Sequence, residues 1–337
     1  MKLQMKASYN LLQMKARIDE KLQVEAWQIE DLRELSTHEL FSKLSSVGLA
    51  LDEEAFILYS ENYSTPEDLS FSLWEKEDNK DKIFLLIFEL WRRLLPEKQS
   101  LSIFCDELDY RIYLYEEDPS SHNSMIQNSL IRLEEILEES SDEGLDPKMF
   151  FYQLDPFCAH DMEAFLYDYM ATQIDVGNNS YAVELLDVFY PSLTDVFWFD
   201  LLRVRLLVKS DPHEANIIIR EILKGTQKHP DLDLILEVAC FLVAHGDPHL
   251  FQQCVKQAFE LIKTEEDFQE LIAIVTDYYR CLDKEKEEKA FQALLDKRSH
   301  LDSQASIDKR EKDVSAFADS LSQLIDLSPI MREKRGK

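Results

Sequence analysis

Apolar residues recur along most of this chain at steps of three and four, the spacing that gives a helix one buried face. The first such run, Leu11, Met14, Ile18, Leu22 and Ile29, predicts a single amphipathic helix over 8–35. Three short helices follow at about 36–46, 52–61 and 64–75, then longer ones near 80–95, 98–116 and 122–139. Polar residues mark several of the starts. Ser36-Thr37-His38-Glu39 has the form of a capping box, in which hydroxyl and carboxylate satisfy orphan backbone donors. Ser64-Thr65-Pro66-Glu67 repeats that form with Pro inside the first turn, and Asp52-Glu53-Glu54 sets acids at the positive end of a helix dipole. The polar stretches 116–121 and 138–144, the second closed by Gly144, read as connections.

Beyond 145 the pattern becomes periodic on a longer scale. Asp175, Asp211, Asp247 and Asp283 stand 36 residues apart. Nine positions before each come Leu166, Leu202, Val238 and Ile274, and five before come Met170, Leu206, Leu242 and Tyr278. Eight positions after come Val183, Ile219, Val255 and Phe291, and eleven after come Leu186, Ile222, Ala258 and Leu294. Each unit therefore holds two helices, with the Asp placed to cap the second. The predicted helices are 162–174, 178–190, 195–209, 212–225, 231–245, 248–263, 266–281 and 284–297, paired antiparallel. Asp211-Pro212-His213-Glu214 and Asp247-Pro248-His249 carry the cap most plainly, whereas the first copy starts its helix later, from Asn179 or Ser180. Such units expose an apolar face that only a stacked neighbour can cover.

Over 160–298 the chain resembles the tetratricopeptide-like superfamily of helical-hairpin repeats. It departs from that family's usual interval of about 34 residues and from its Trp/Leu/Gly/Tyr pattern. The resemblance implies a groove for protein segments and no activity of its own. The expected architecture is all-α: a helical N-terminal domain over 1–140, an α-solenoid over 145–298, then a linker, an amphipathic capping helix and a basic tail over 299–337.

Composition narrows the function classes. The chain carries 66 acidic against 37 basic residues, a formal net charge of −29, which repels phosphate backbones and excludes general nucleic-acid binding. Five cysteines without a C-x-x-C pair suggest free thiols in a reducing compartment. The first residues lack the apolar core of a signal peptide, and the run Ile83–Phe88 is far too short to span a bilayer, so a cytoplasmic location is expected.

Candidate chemistry is sparse. His160-Asp161 with Glu163 offers metal-ligand types, but neighbouring helical residues point about 100° apart. His245 and His249 flank a turn with a cap, and Asp106-Glu107-Leu108-Asp109 reads as a solvated acidic face. Neither a Gly-rich phosphate loop nor a G-x-S-x-G or H-E-x-x-H motif occurs. No catalytic, cofactor or metal residue is assigned. Arg205 with Lys209, one turn apart, and nearby Arg203 are the candidate partner contacts, a local positive site that would hold a partner's carboxylate. In the tail, Val314, Phe317, Leu321, Leu324 and Ile325 outline the amphipathic helix, and 331–337 is basic. The expected function is a non-enzymatic scaffold that binds a protein or peptide. A chaperone for an exported or aggregation-prone client is the alternative, and a divergent helical enzyme the third reading.

Overall fold

A computed structural model describes residues 2–73 and 79–321. Among them the fold is all-α, and the only β pairing is the isolated bridge Thr264–Ser306. No helix of the described residues is long and apolar enough to cross a membrane. The chain forms two compact units, Met1–Leu166 with Pro191–Thr194, and Tyr167–Tyr190 with the chain from Asp195 onward.

The first unit holds α1 (Met5–Ile18), α2 (Thr37–Ser46), α3 (Glu53–Ser60), α4 (Pro66–Leu73), α5 (Lys80–Leu94), α6 (Leu101–Glu117), α7 (Pro119–Asp142) and α8 (Pro147–Leu154). Its centre is α5, in which every residue from Ile83 to Trp91 is buried. A helix apolar on all sides needs neighbours on all sides; α2, α4 and the 3₁₀ turn Leu32–Glu34 supply them.

The single helix expected over 8–35 does not form. It stops at Ile18, where the Asp19 carboxylate accepts from the Lys21 amide at 2.9 Å and gives the backbone an alternative to the helix. Two 3₁₀ turns, Ala26–Gln28 and Leu32–Glu34, carry the remaining apolar positions. The contact boundary also falls later than 140–145. α8 packs on α7, and the 3₁₀ turn Asp155–Phe157 packs on α6 and α1, which keeps this stretch with the first unit.

The repeat region contains α9 (Met162–Asp175), α10 (Asn179–Phe189), α11 (Val196–Leu207), α12 (Pro212–Thr226), α13 (Leu232–His245), α14 (Pro248–Leu261), α15 (Glu265–Cys281) and α16 (Glu285–Arg298). All eight helices fall within three residues of their predicted ends. α11 packs on α12, α13 on α14 and α15 on α16; first helices also meet first helices (α11–α13, α13–α15) and second helices meet second (α12–α14). The second unit is thus a stack of helical hairpins in two layers.

The interval is not a fixed 36. First helices begin at 162, 196, 232 and 265, and second helices at 179, 212, 248 and 285, because the connections between them differ in length. The Asp positions differ in the same way. Asp211 accepts from the Glu214 amide at 3.0 Å and Asp247 from the His249 amide at 2.8 Å, both as N-caps. Asp175 is instead the last residue of α9, and Asp283 lies in a turn at φ 56°. The inner column holds: Leu166, Leu202, Val238 and Ile274 are all buried. Leu206 is only half-buried, unlike Met170, Leu242 and Tyr278 in its column.

A final helix, α17 (Lys312–Leu321), buries Val314, Phe317 and Leu321 in the core of the second unit. Phe317 meets Phe259, Phe268 and Phe291 at ring separations of 5.1–6.0 Å, closing the end of the apolar stack. Leu324, Ile325 and the basic end lie outside the described residues.

Candidate functional site

α1 and α6 lie side by side in the first unit, and spacings of four and seven residues bring Lys6, Asn10 and Arg17 to the face that meets Asp106, Asp109 and Tyr113. These acids are no solvated face: Asp106 and Asp109 are each 3% exposed. Asp106 is held by Lys6 at 2.7 Å and by Arg33 at 2.6 Å, while Asn10 donates to it at 3.0 Å. Burial pushes its carboxyl up, but Lys6 and Arg33 outweigh that and hold it below the usual carboxylate range. Arg33 also bonds Glu107 at 2.8 Å and lies 4.3 Å above the Tyr110 ring. The buried Glu89 on α5 pairs with both Arg92 and Arg93, and Arg93 reaches on to the carbonyls of Leu32, Arg33 and Leu35. Cations from α1, α5 and a 3₁₀ turn thereby neutralise carboxylates from α5 and α6.

Asp109 has another set of donors. The amides of Ala159 and His160 reach it at 2.9 and 3.1 Å, and His160 Nδ1 at 2.8 Å. An ionised carboxylate only accepts, so Nδ1 carries a proton and donates. His160 Nε2 is then left buried without a hydrogen-bond partner. The ring lines a polar cavity of about 70 Å³ together with Lys6, Asn10, Gln13, Arg17 and Tyr113. No Ser, Thr or Cys lines it among the described residues, and its carboxylates are largely engaged within the protein.

Alongside lie two thiols: a hydrogen bond with Cys105, together with burial, pushes the Cys158 thiol up. The other residues of the His160 segment turn elsewhere. Asp161 accepts from the Ala164 amide at 3.0 Å, and Glu163 accepts from the Thr194 amide and hydroxyl at 2.9 and 2.8 Å. No group of three His, Cys, Asp or Glu residues among the described ones is placed to hold a metal ion.

The candidate cations of the repeat region do not come together as a clamp. Arg205 is bonded to Asp175, and Arg203 lies 3.7 Å above the Tyr190 ring with Asp200 at 3.8 Å. Lys209 is exposed in the turn after α11, which ends at Leu207, so it does not share a helical face with Arg205.

The same layer of first helices carries something the sequence reading passed over. Asp233, Glu237 and Cys240 on α13, and Glu266, Glu270 and Asp277 on α15, are exposed at helical spacings. Part-burial, then Asp233, Asp267, Glu237 and Glu266, push the Glu270 carboxyl up. Burial with Glu237, Glu270 and Asp277 pushes the Cys240 thiol up to about 11. Burial and Glu237 push the Tyr167 hydroxyl up to about 12, against the opposite pull of Arg205. These acids therefore share one field. No Lys, Arg or His stands at ion-pair distance from Asp233, Glu237 or Glu270 among the described residues. Comparison with protein-family models, with curated proteins and with solved structures finds no match to this chain.

Proposed function

We propose that this chain is a non-enzymatic protein-interaction scaffold whose repeat region receives a basic segment of a partner protein on its layer of first helices. The observation that carries this reading is the group Asp233, Glu237 and Glu270: exposed, mutually repelling and, among the described residues, without a cation of their own. A Lys- or Arg-rich segment laid across them relieves that repulsion, and the long-range field speeds its arrival. Stacked helical hairpins favour this use, since side-by-side first helices present one continuous surface. Arg205, resting on Asp175, would exchange that contact for a carboxylate of the same segment, with Arg203 and Lys209 at the margin.

The test is fluorescence anisotropy with a labelled Lys/Arg-rich peptide and an Asp/Glu-rich one of equal length. The basic peptide should bind, more weakly as salt rises, and Glu237→Lys with Glu270→Lys should abolish the binding. Equal binding of both peptides, or no loss in the double variant, contradicts the reading.

A further inference from the structure

We propose that Cys105 and Cys158 form a redox modification site, at which a peroxide joins the two thiols into a disulfide that staples α6 to the segment just before α9. The first observation is that the thiols touch. Cys105 lies on the buried side of α6 and Cys158 ends the 3₁₀ turn Asp155–Phe157; both are buried, and they are hydrogen-bonded to each other. The second observation is the backbone around them, which sets this pairing independently of the sulfurs. Asp109 follows Cys105 by one helical turn and accepts from the amides of Ala159 and His160 at 2.9 and 3.1 Å, the two residues after Cys158. The turn before Cys158 also packs on α6. Residues 53 apart in the chain are thus held in register, one turn of α6 facing one short segment.

The chemistry balances with a peroxide as the oxidant. The thiolate of one cysteine attacks a peroxide oxygen, the O–O bond breaks, and a sulfenic acid and hydroxide result. The second thiolate then attacks that sulfur, the S–O bond breaks and hydroxide leaves. The two thiol protons complete two waters, so two thiols and one hydrogen peroxide give one disulfide and two waters. An S–S bond of about 2.0 Å requires the sulfurs to draw in from hydrogen-bond contact. Hydrogen peroxide is little larger than water and reaches them when the short turn opens locally. Burial and Cys105 push the Cys158 thiol up, so the first step is slow at neutral pH and quickens as pH rises. The adjacent second thiol stops the oxidation at a reversible stage. The other three cysteines belong to the second unit: Cys254 donates to the Ile235 carbonyl at 3.0 Å, while Cys240 and Cys281 are exposed.

The experiment treats the reduced full-length protein with hydrogen peroxide, raised until the exposed Cys240 and Cys281 are fully oxidised. The reaction is quenched with catalase, the chain is unfolded in maleimide to block remaining thiols, and the digest is read by mass spectrometry without reduction. The expected result is a linked peptide pair carrying Cys105 and Cys158, two hydrogens lighter than its parts, that accounts for most of both residues. Dithiothreitol added to the folded, oxidised protein should return both thiols to maleimide. The wild-type chain alone decides the matter, so no variant has to fold. Cys105 and Cys158 still mostly labelled by maleimide, or carried separately to sulfinic acids, would overturn the proposal.

Discussion

The two units handle charge in opposite ways. Inside the first, the buried carboxylates of Asp106 and Glu89 are each held by two cations. On the second, Asp233, Glu237 and Glu270 stand exposed on neighbouring helices with no cation at ion-pair distance among the described residues. Desolvation explains the difference. A buried charge without a partner costs several kcal/mol, whereas an exposed one costs little and stays available to another molecule. The second unit has a buried ion pair of its own, Arg298 with Glu265 at 2.6 Å, and Arg298 also reaches the exposed Glu311 at 2.6 Å, so there too the buried charges are partnered.

The comparison breaks first at Asp106. Asp106→Ala leaves the partly buried Lys6 without a carboxylate and Arg33 with Glu107 alone, and should destabilise the first unit by about 3–5 kcal/mol in urea titrations. Its pH dependence has a definite sign. Because the Asp106 carboxyl is held below its unfolded value, its stabilisation is fully present above the usual carboxylate range and lost as pH falls through the folded value. Thermal midpoints measured from neutral pH downward should therefore fall less steeply in Asp106→Ala than in wild type.

In the second unit, packing should dominate instead. Leu202→Ala opens a cavity at a fully buried position and should cost roughly 2–5 kcal/mol. The smallest effects separate caps from coincidences. Asp211→Ala should cost about 1 kcal/mol through its lost N-cap. Asp175→Ala, at an exposed helix end, should stay within about 0.5 kcal/mol in the same urea series. Equal losses at the two positions would mean that the shared interval, and not the cap geometry, tracks stability.

The same contrast decides what could be read from the sequence. The repeat helices were legible because each buries one face against a neighbour, so Leu202, Val238 and Ile274 recur in register. Asp211-Pro212 and Asp247-Pro248 were legible because a cap acts within three residues. The stop at Ile18 was missed: the apolar spacing continues past it, and the Asp19 turn that breaks the helix leaves only one residue as its sign. Asp106 and Asp109 were misread as solvated because their partners are distant in sequence. Lys6 and Arg33 precede Asp106 by 100 and 73 residues, and His160 follows Asp109 by 51. The acidic face was hidden for a related reason, since α13 and α15 each look like ordinary exposed helix surface until packing sets them side by side.

One measurement tests the central claim most directly: zero-length carbodiimide coupling of a bound Lys-rich peptide to the full-length protein, with the joined carboxylates mapped by mass spectrometry. The chain offers 66 acidic side chains, so the pattern is informative. The account predicts coupling concentrated on Asp233, Glu237 and Glu270 and suppressed by excess unlabelled peptide. Coupling scattered evenly over the acids of both units, or concentrated on the first, would contradict it.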